Sequence, residues 1–478
     1  MAITGATAVG PYVLSIDIGS TATRAGLYDS TGAPLKRSKV RVEHEFLAPE
    51  PGASEIDPDQ VVDEVCDVIE QTVDYAQLHG VHIDAVAMDT IASSIILVDD
   101  RIRPLTPCIT YADNRCFPYA DDLATRIDES ALHNRTGVRL HTSYHPARWH
   151  WLNMTNPEAV AKTHMILTLG EYIYFKLAGI TGTTTSMASW SGVLNIHTGK
   201  LDDTVVPLRL LQEPIDEPAY PTSTPWPALN DIAWFRPIPD GWASSVGSGA
   251  VDTGAVALAA GTSGAMRMML DKPPARARPG LWCYRVADGQ WIHGGALNDV
   301  GRAFAWMRHT LAPVSRAALD EELAALPSGD HPSVLPFFTG ERATGWARNA
   351  SASMISITAR TTPLDIWRGV AESIALSYRR IADELSIPIA LVAASGGVNQ
   401  EFPAWLHMLA DALQVPVTPV AMKRTTLSGN AKIALRTLDP GGERLVPECG
   451  EPVAPRAEAA AYYDEALAQF QRLYDSLI

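Results

Sequence analysis

The feature that most constrains the fold of this chain is a pattern that occurs twice: an apolar run, a turn of small residues and a second apolar run. The first copy reads YVLSIDI, GST, ATRAGLYD at residues 12–29, and the second reads GAVALAA, GTSG, AMRMMLD at residues 254–271. Either copy alone is typical of an ordinary hairpin turn. Their recurrence at the head of each half predicts two related domains, each with a turn whose successive amides can bind a phosphate-sized anion.

Strands alternate with helices along the rest of the chain. Helical spacing of apolar residues at 57–77 is followed by the strand-like runs IDAVAMDT and SIILVDD, and helical periodicity returns at 362–385 and 402–414. This alternation predicts an α/β fold. The stretch 213–241 is dense in proline and has little periodicity. We therefore expect a domain boundary near its end, with domains at 1–241 and 242–478.

Composition excludes several classes of partner. The chain has 478 residues and a formal net charge of -16, so we expect no general affinity for nucleic acid or for an anionic membrane. An anionic ligand must then be held locally by backbone amides or by a metal ion. The sequence has no apolar stretch of membrane-spanning length and no basic leader, and its five cysteines lack CxxC spacing. These features predict a cytoplasmic protein with reduced thiols.

Asp17 is the first candidate for chemistry, because it ends an apolar strand where the first small-residue turn begins. A carboxylate beside bound phosphate needs a cation between the two, and Mg²⁺ suits a carboxylate, waters and substrate phosphates. The alternative is that Asp17 caps its own turn. A third glycine cluster lies in LVAASGGVNQEFPAWLHMLADAL at 391–413, where a strand, a Gly-Gly bend and an amphipathic helix would suit a planar ligand such as adenosine.

These motifs, in this order, resemble the FGGY family of carbohydrate kinases, and within it the gluconate kinase branch. The resemblance covers almost the whole chain. It rests on YVLSIDIGSTATRAGLYDSTG, RPLTPCITYADNR, TSYHPARWHWL, AAGTSGAMR, WIHGGALNDVGRAFAWMR, FFTGERATGW and ASGGVNQEFPAWLHMLADAL. It implies an actin-like ATPase fold, with two ribonuclease-H-like α/β domains around a cleft. It also implies ATP and Mg²⁺ as cofactors and a small sugar, sugar acid or polyol as the substrate.

The resemblance also implies roles for individual residues. Asp17 corresponds to the metal-linked carboxylate. Arg115 would suit the carboxylate of a sugar acid, although a surface ion pair with Asp113 is an equal alternative. The residues expected to bind the nucleotide are Gly19, Ser20, Thr21, Gly261, Thr262, Ser263, Asn298, Gly396, Gly397 and Asn399. The residues expected to bind the substrate are Ser93, Tyr111, Asp113, Arg115 and Tyr144.

The chain departs from the family pattern in three places. Ser93 stands where the gluconate kinases have a histidine, and RNASASMISIT replaces the usual pattern near residue 350. The segment before GTSG is several residues shorter than in relatives, so the catalytic aspartate aligns with Ser248, Ala250 or Asp252. We predict that Asp252 is the base, because the other two side chains cannot usefully accept a proton near neutral pH. The alternative is that Asp252 only caps a turn.

The sequence therefore predicts an ATP- and Mg²⁺-dependent kinase that phosphorylates a primary hydroxyl, with a homodimer as one option for its assembly. The alternative is an inactive or weakly active relative that binds nucleotide or sugar as a sensor or partner-binding protein. A third motif, the histidines of HTSYHPARWH, is not expected to bind metal. His141, His145 and His150 do not share one helical face, and Pro146 interrupts them.

Overall fold

The computed structural model describes residues 8–421 and 425–478. The strands are β1 Val13–Ile18, β2 Ala22–Tyr28, β3 Val40–Glu43, β4 Glu55–Ile56, β5 Ala85–Thr90, β6 Ile96–Val98, β7 Cys108–Ile109, β8 Met165–Leu167, β9 Ala233–Pro239, β10 Ala255–Ala260, β11 Gly264–Leu270, β12 Trp282–Ala287, β13 Gln290–Leu297, β14 Ser333–Leu335, β15 Ser353–Ile355, β16 Leu391–Ser395 and β17 Val417–Pro419.

The helices follow the predicted alternation with the strands. They are α1 Pro58–Leu78, α2 Phe117–Ala124, α3 Glu129–Thr136, α4 His145–Thr155, α5 Pro157–Lys162, α6 Leu169–Ala178, α7 Thr185–Trp190, α8 Asp240–Gly247, α9 Gly301–Thr310, α10 Arg316–Ala324, α11 Pro363–Leu385, α12 Gly397–Glu401, α13 Trp405–Leu413, α14 Thr425–Leu438 and α15 Ala460–Leu477. Within the two described stretches, no helix combines the length and the apolar character needed to cross a membrane.

The chain forms two compact units. The first contains Met1–Gly247, Cys283–Trp291 and Arg424–Val446, and the second contains Ser248–Trp282, Ile292–Lys423 and Pro447–Ile478. The boundary predicted after residue 241 lies inside α8. Each unit is discontinuous, whereas the predicted division is a single cut. The segments that return to the first unit carry no composition change that would mark them in the sequence.

The first unit is built on a five-stranded sheet in the order β3, β2, β1, β5, β9. Strands β1, β2 and β3 form an antiparallel meander. Strand β5 lies between β1 and β9 and runs parallel to both, with Asp17 opposite Asp89. The carboxyl ends of these three strands therefore lie at one edge of the sheet.

Helices cover both faces of this sheet. Helix α1 begins at the N-cap Asp57, whose side chain accepts a hydrogen bond from the amide of Asp59, and it buries one apolar face in the largest core cluster of the unit. On the opposite face, α14 buries Leu427, Ala431 and Leu435. The hydroxyl of Ser15 on β1 donates to the carbonyl of Leu427 at 2.9 Å. The sheet is thus buried on both sides, as sheets with parallel strands require.

The second unit repeats the same arrangement. Its sheet has the order β12, β13, β11, β10, β16, β17, with β10 antiparallel to β11 and parallel to β16. Helix α11 begins with a capping box between Thr362 and Asp365. The indole of Trp405 on α13 donates to the carbonyl of Ala371 on α11 at 3.1 Å and joins these two buried helices. In each unit a hairpin with a small-residue turn lies beside a parallel strand. The repeated sequence pattern predicted the two hairpins.

Candidate functional site

The turn between β1 and β2 is open at its tip and fixed at its base. The amide of Gly19 donates to the carbonyl of Ala22 at 3.1 Å, while Ser20 and Thr21 are exposed. Asp17 is only 6% exposed, and Arg24 donates to its Oδ2 at 3.0 Å. The carboxylate of Asp17 therefore already has one cationic partner, Arg24, on the neighbouring strand.

His44 holds this turn from behind, and nothing in the sequence motif indicated it. Its Nε2 lies 2.9 Å from the carbonyl oxygen of Gly19, and its Nδ1 lies 2.8 Å from Oε2 of Glu64. Thr23 donates to the same Glu64 oxygen at 2.8 Å. Burial alone would raise the pKa of Glu64, but hydrogen bonds from His44, Gln60 and Thr23 outweigh burial and lower it. The turn is thus fixed to α1 by a buried polar network.

Asp89 is a second carboxylate beside Asp17, and it is fully buried. Neither of its carboxylate oxygens accepts a hydrogen bond from the described part of the chain. Burial, followed by the negative charges of Asp17 and Asp240, raises the pKa of Asp89 well above its usual value. A protonated Asp89 can donate to Asp17, which favours the same form. Burying an ionised carboxylate without a partner is costly. We therefore expect Asp89 to be protonated or to lie beside a bound cation.

The two carboxylates Asp17 and Asp89 could supply part of the ligand shell of Mg²⁺. Among the residues at 8–421 and 425–478, no group of three or more His, Cys, Asp or Glu side chains has the geometry to hold a metal ion. Mg²⁺ commonly uses only one or two carboxylates and completes its shell with water and phosphate oxygens. Asp17 and the orphaned oxygens of Asp89 are the groups of this unit that suit such a site.

We expect Asp89→Asn to stabilise the metal-free protein. The folded state raises the pKa of Asp89, so folding binds a proton more tightly, and the contribution of Asp89 to stability falls as pH rises above about 4. Asparagine cannot ionise, and its amide can donate to Asp17. In the presence of a chelator, the melting temperature of Asp89→Asn should exceed that of the unmodified protein, and the gap should widen from pH 4 to pH 8. The matched control is Asp100→Asn at an exposed position. A gap that is constant with pH would contradict the assignment.

The residues predicted to bind substrate lie in three loops of the first unit. Ser93 is buried, and its hydroxyl donates to the carbonyl of Ser143. Tyr111 is half-buried. The hydroxyl of Tyr144 lies 2.7 Å from that of Tyr284, which also belongs to this unit. Asp113 is buried and accepts a hydrogen bond from the amide of Ser54 at 2.9 Å. Asp113 and Ser93 are therefore already engaged in holding these loops.

Arg115 forms the ion pair that the sequence left as an alternative. Its guanidinium donates to Asp113 at 2.7 Å, to Glu50 at 2.9 Å and to Glu55. It also lies 4.9 Å from the ring centroid of Trp151. All three guanidinium nitrogens have carboxylate partners. These carboxylates use most of the five N–H donors of Arg115, so a sugar-acid carboxylate would compete with them.

Arg148 is the residue of this region that sequence reasoning missed. It is fully buried on α4, and its guanidinium donates to the carbonyl oxygens of Thr142 at 2.8 Å, Ser93 at 2.5 Å and Thr110 at 2.5 Å. These carbonyls belong to the three loops that carry the predicted substrate residues. One planar side chain therefore fixes all three loops. The sequence shows only an arginine in HPARWHWLNMT, with no pattern that marks this role.

The three histidines of HTSYHPARWH have separate partners. His145 is buried, with Nε2 at 2.9 Å from the carbonyl oxygen of Ser94, and burial lowers its pKa to about 4. Nε2 of His150 lies 2.7 Å from Oδ2 of Asp122, while Nδ1 of His141 lies 3.1 Å from the hydroxyl of Ser143. Each ring has its own non-histidine neighbour.

The second unit carries the other predicted turn, at Gly261–Ser263. Thr262 and Ser263 are exposed, while the start of α9 packs behind them: the amide of Gly301 donates to the carbonyl of Gly261 at 2.8 Å. Asn298 donates to the carbonyls of Thr339 at 3.0 Å and Gly340 at 3.1 Å. As in the first unit, the tip of the turn is left open to solvent.

The Gly-Gly bend lies directly against this turn. Gly396 has a φ of 105°, and a Cβ there would lie 2.4 Å from the carbonyl oxygen of Ala260, so only glycine fits. Gly397 is exposed, and a Cβ at that position would meet open space. Asn399 is buried and donates to the carbonyl of Ser395 at 2.8 Å. Its Oδ1 is buried and has no hydrogen-bond partner within the described residues.

The three positions that compete for the catalytic aspartate differ in exposure. Ser248 and Ala250 are buried, at 2% and 0% exposure, whereas Asp252 is exposed. Asp252 lies between α8 and β10, and its backbone carbonyl accepts a hydrogen bond from the amide of Ala255 at 3.1 Å. Of the three, only Asp252 combines a carboxylate with access to solvent.

Comparison with known proteins gives consistent matches along the chain. The chain is 25% identical over 434 residues to a gluconokinase of Bacillus licheniformis, and the match covers 85% of this chain and 83% of that protein. It is 25% identical over 453 residues to a glycerol kinase of Limosilactobacillus reuteri, covering 90% of each. A crystal structure of ligand-bound xylulose kinase from Lactobacillus acidophilus is similar with a TM-score of 0.89, at 24% identity and 98% coverage of both chains.

The family models agree with these relatives. Residues 12–213 match the N-terminal domain of the FGGY family of carbohydrate kinases, and residues 256–438 match its C-terminal domain. Together the two matches cover most of the chain and include both small-residue turns and the Gly-Gly bend. The predicted two-domain actin-like α/β fold is confirmed. The chain belongs to the FGGY family of carbohydrate kinases.

Proposed function

We propose that this carbohydrate kinase transfers the γ-phosphoryl group of ATP to a primary hydroxyl of a small sugar, sugar acid or polyol. The observation that carries the proposal is the pair of open small-residue turns, one per unit, in a chain whose family phosphorylates carbohydrates. Such turns offer backbone amides to phosphate oxygens without steric hindrance. The cytoplasmic location and the homodimer suggested by the sequence stay predictions.

Each unit supplies a different part of the proposed reaction. In the first, Tyr111, Asp113 and Tyr144 would bind the acceptor. In the second, Thr262 and Ser263 would bind phosphate, and Gly396, Gly397 and Asn399 would line the nucleoside pocket. Phosphoryl transfer needs little covalent chemistry from the protein, so positioning and charge stabilisation supply most of the rate enhancement.

The acceptor hydroxyl must also lose its proton, and we propose that Asp252 accepts it. Its exposure supports this role, because a base must reach a bound ligand. When bound, Mg²⁺ would neutralise charge on the phosphates, and Asp17 is the carboxylate proposed to hold it. Asp252 takes the proton as the acceptor oxygen forms its bond to the γ-phosphorus, and the bond from that phosphorus to the bridging oxygen breaks, so ADP is the leaving group.

We expect Asp17→Ala to abolish turnover and to weaken binding of Mg-ATP without unfolding the protein. The side chain lies at the end of a strand next to an open turn, and its removal takes away the ion pair with Arg24 but little apolar packing. Isothermal titration calorimetry with ATP in the presence and absence of Mg²⁺ measures the effect. The titration in chelator is the control, and it should be unchanged. Unaltered Mg-ATP affinity together with unaltered turnover would exclude the role of Asp17.

We expect gluconate to be a poor substrate. The hydroxyl of Ser93 is buried and donates to the carbonyl of Ser143, so it has no proton to offer a ligand where a histidine could donate one. A site that cannot pair a buried substrate group discriminates by up to about 10⁴-fold. A coupled ADP-release assay with gluconate, xylulose, ribulose, glycerol and cyclitols compares kcat/KM. Gluconate as the best substrate of this panel would contradict the inference from Ser93.

The same panel separates the kinase from its alternative. If ATP binds with Mg²⁺ but no polyol is phosphorylated, the chain is an inactive relative that binds nucleotide or sugar. The shortened segment before Gly261 is the feature that favours this second function, because it leaves Ala250 or Ser248 as competing matches for the base.

A further inference from the structure

His44 holds two carbonyl groups of the turn between β1 and β2, although it lies outside that turn. Its Nε2 lies 2.9 Å from the carbonyl oxygen of Gly19, and its backbone amide donates to the carbonyl of Thr21 at 3.2 Å. The imidazole is buried, with only 1% of the side chain exposed. The proposed reaction gives this residue no role.

The two ring nitrogens of His44 both face hydrogen-bond acceptors. Nδ1 lies 2.8 Å from Oε2 of Glu64. Burial would raise the pKa of Glu64, but its hydrogen bonds outweigh burial and lower it, so this carboxyl group is ionised. An ionised carboxylate and a backbone carbonyl can only accept, so the ring donates from both nitrogens. The N–H at Nε2 is therefore directed at Gly19, and Glu64 fixes the ring in this orientation.

The hydrogen bond to Gly19 also fixes the direction of the next amide along the chain. The peptide bond between Gly19 and Ser20 is trans, and in a trans peptide the C=O and the N–H point in opposite directions. The Gly19 carbonyl points at the buried imidazole, so the N–H of Ser20 points away from it. Ser20 is exposed, and its amide donates to no acceptor in the part of the chain that the structure describes.

We propose that His44 is a positioning residue for phosphate binding. By holding the carbonyl groups of Gly19 and Thr21, it directs the amide of Ser20 at a phosphate oxygen of the nucleotide. An anion-binding turn must present N–H groups to its ligand, and a carbonyl oxygen on the same side would repel the phosphate. The inference rests on the proposed function, in which this turn offers its amides to the phosphates of ATP.

The test compares two substitutions that each keep one of the two ring hydrogen bonds. A glutamine amide lies near the position of Nε2, so His44→Gln retains a donor for Gly19, whereas the shorter side chain of His44→Asn retains a donor only for Glu64. Mg-ATP binding to the full-length protein is measured by isothermal titration calorimetry. We expect His44→Asn to weaken Mg-ATP affinity at least about 10-fold, through loss of one hydrogen bond to a charged group, and His44→Gln to stay within about 3-fold of the unmodified protein. Equal affinities of the two variants would overturn the proposal.

Two further variants keep the test decisive. His44→Phe keeps a ring beside Phe46 but has no donor, so it should weaken Mg-ATP affinity as much as His44→Asn does, and it takes the place of His44→Asn if that variant fails to fold. Gln60→Met is the matched control, because it removes a donor to Oε1 of Glu64 at 2.9 Å and leaves both ring hydrogen bonds of His44. It should not change the affinity, and a loss equal to that of His44→Asn would contradict the proposal.

The unmodified protein separates this inference from the proposed function. If it does not bind Mg-ATP, both fail. If it binds Mg-ATP, a failure of the role of His44 appears only in the variants, and ADP release tests the kinase activity separately.

Discussion

Asp252→Asn should lower phosphorylation by roughly 10²–10⁴-fold while ATP binding survives, because the amide keeps the shape of the side chain but cannot accept the proton of the hydroxyl. The side chain is exposed, so the substitution removes no packing. Steady-state ADP release gives kcat and KM for the acceptor, and calorimetry gives ATP affinity. We expect the loss to appear in kcat, since a base acts only in the transition state.

The matched control for this experiment is Asp271→Asn, which changes another exposed aspartate of the same unit. It should leave kcat and KM unchanged. Full activity of Asp252→Asn would mean that another carboxylate accepts the proton. A similar loss in both variants would indicate a general charge effect and would also reject Asp252 as the base.

Arg148→Met should destabilise the first unit by roughly 3 kcal/mol or more, because each buried carbonyl that loses its donor costs about 1–3 kcal/mol. Three carbonyls lose an arginine donor together. The carbonyl of Ser93 has no other donor within the described residues, whereas that of Thr110 keeps the amide of Asp113 at 3.2 Å. Methionine fills much of the volume, so the effect reports the lost hydrogen bonds rather than a large cavity. Urea unfolding followed by tryptophan fluorescence measures the change.

We also expect a substitution of Arg148 to change the KM for the acceptor, because this residue positions the substrate loops. In Arg148→Lys a single ammonium group replaces a guanidinium that donates hydrogen bonds to three carbonyl oxygens. The loops should then be less well positioned, so KM for the acceptor should rise while ATP affinity stays the same. Arg126→Met is the control, since Arg126 is an exposed arginine paired with Asp122 one turn away. It should change neither stability nor KM appreciably. An unchanged KM in Arg148→Lys would limit Arg148 to a purely structural role.

The predictable part of this protein is what local pattern encodes. The repeated run, turn and run predicted both hairpins, and the helical spacing of apolar residues from position 57 predicted α1. These features depend on residues close together in the chain. Gly396 is a similar case, because the close approach of a backbone requires glycine whatever the ligand.

The unpredictable part depends on pairing between distant segments. Asp89 looks like the polar end of an ordinary strand, and only the parallel register of β1 and β5 brings it next to Asp17. In the sequence, Arg148 looks like a solvent-exposed position of a helix, yet in the structure its guanidinium donates to three loop carbonyls. No local spacing encodes either contact, because each needs the fold to be formed first.

The discontinuity of the first unit sets an order on its synthesis. Helix α14 covers one face of the first sheet through Leu427 and Ala431, which pack with Val13 and Ala85. A ribosome makes those sheet residues more than three hundred residues before it makes the helix. During that interval the sheet lacks one wall of its core, so the first unit completes its folding after most of the second has been synthesised. Exposed apolar strands attract other chains, and the nascent chain is therefore most vulnerable to aggregation just before α14 emerges.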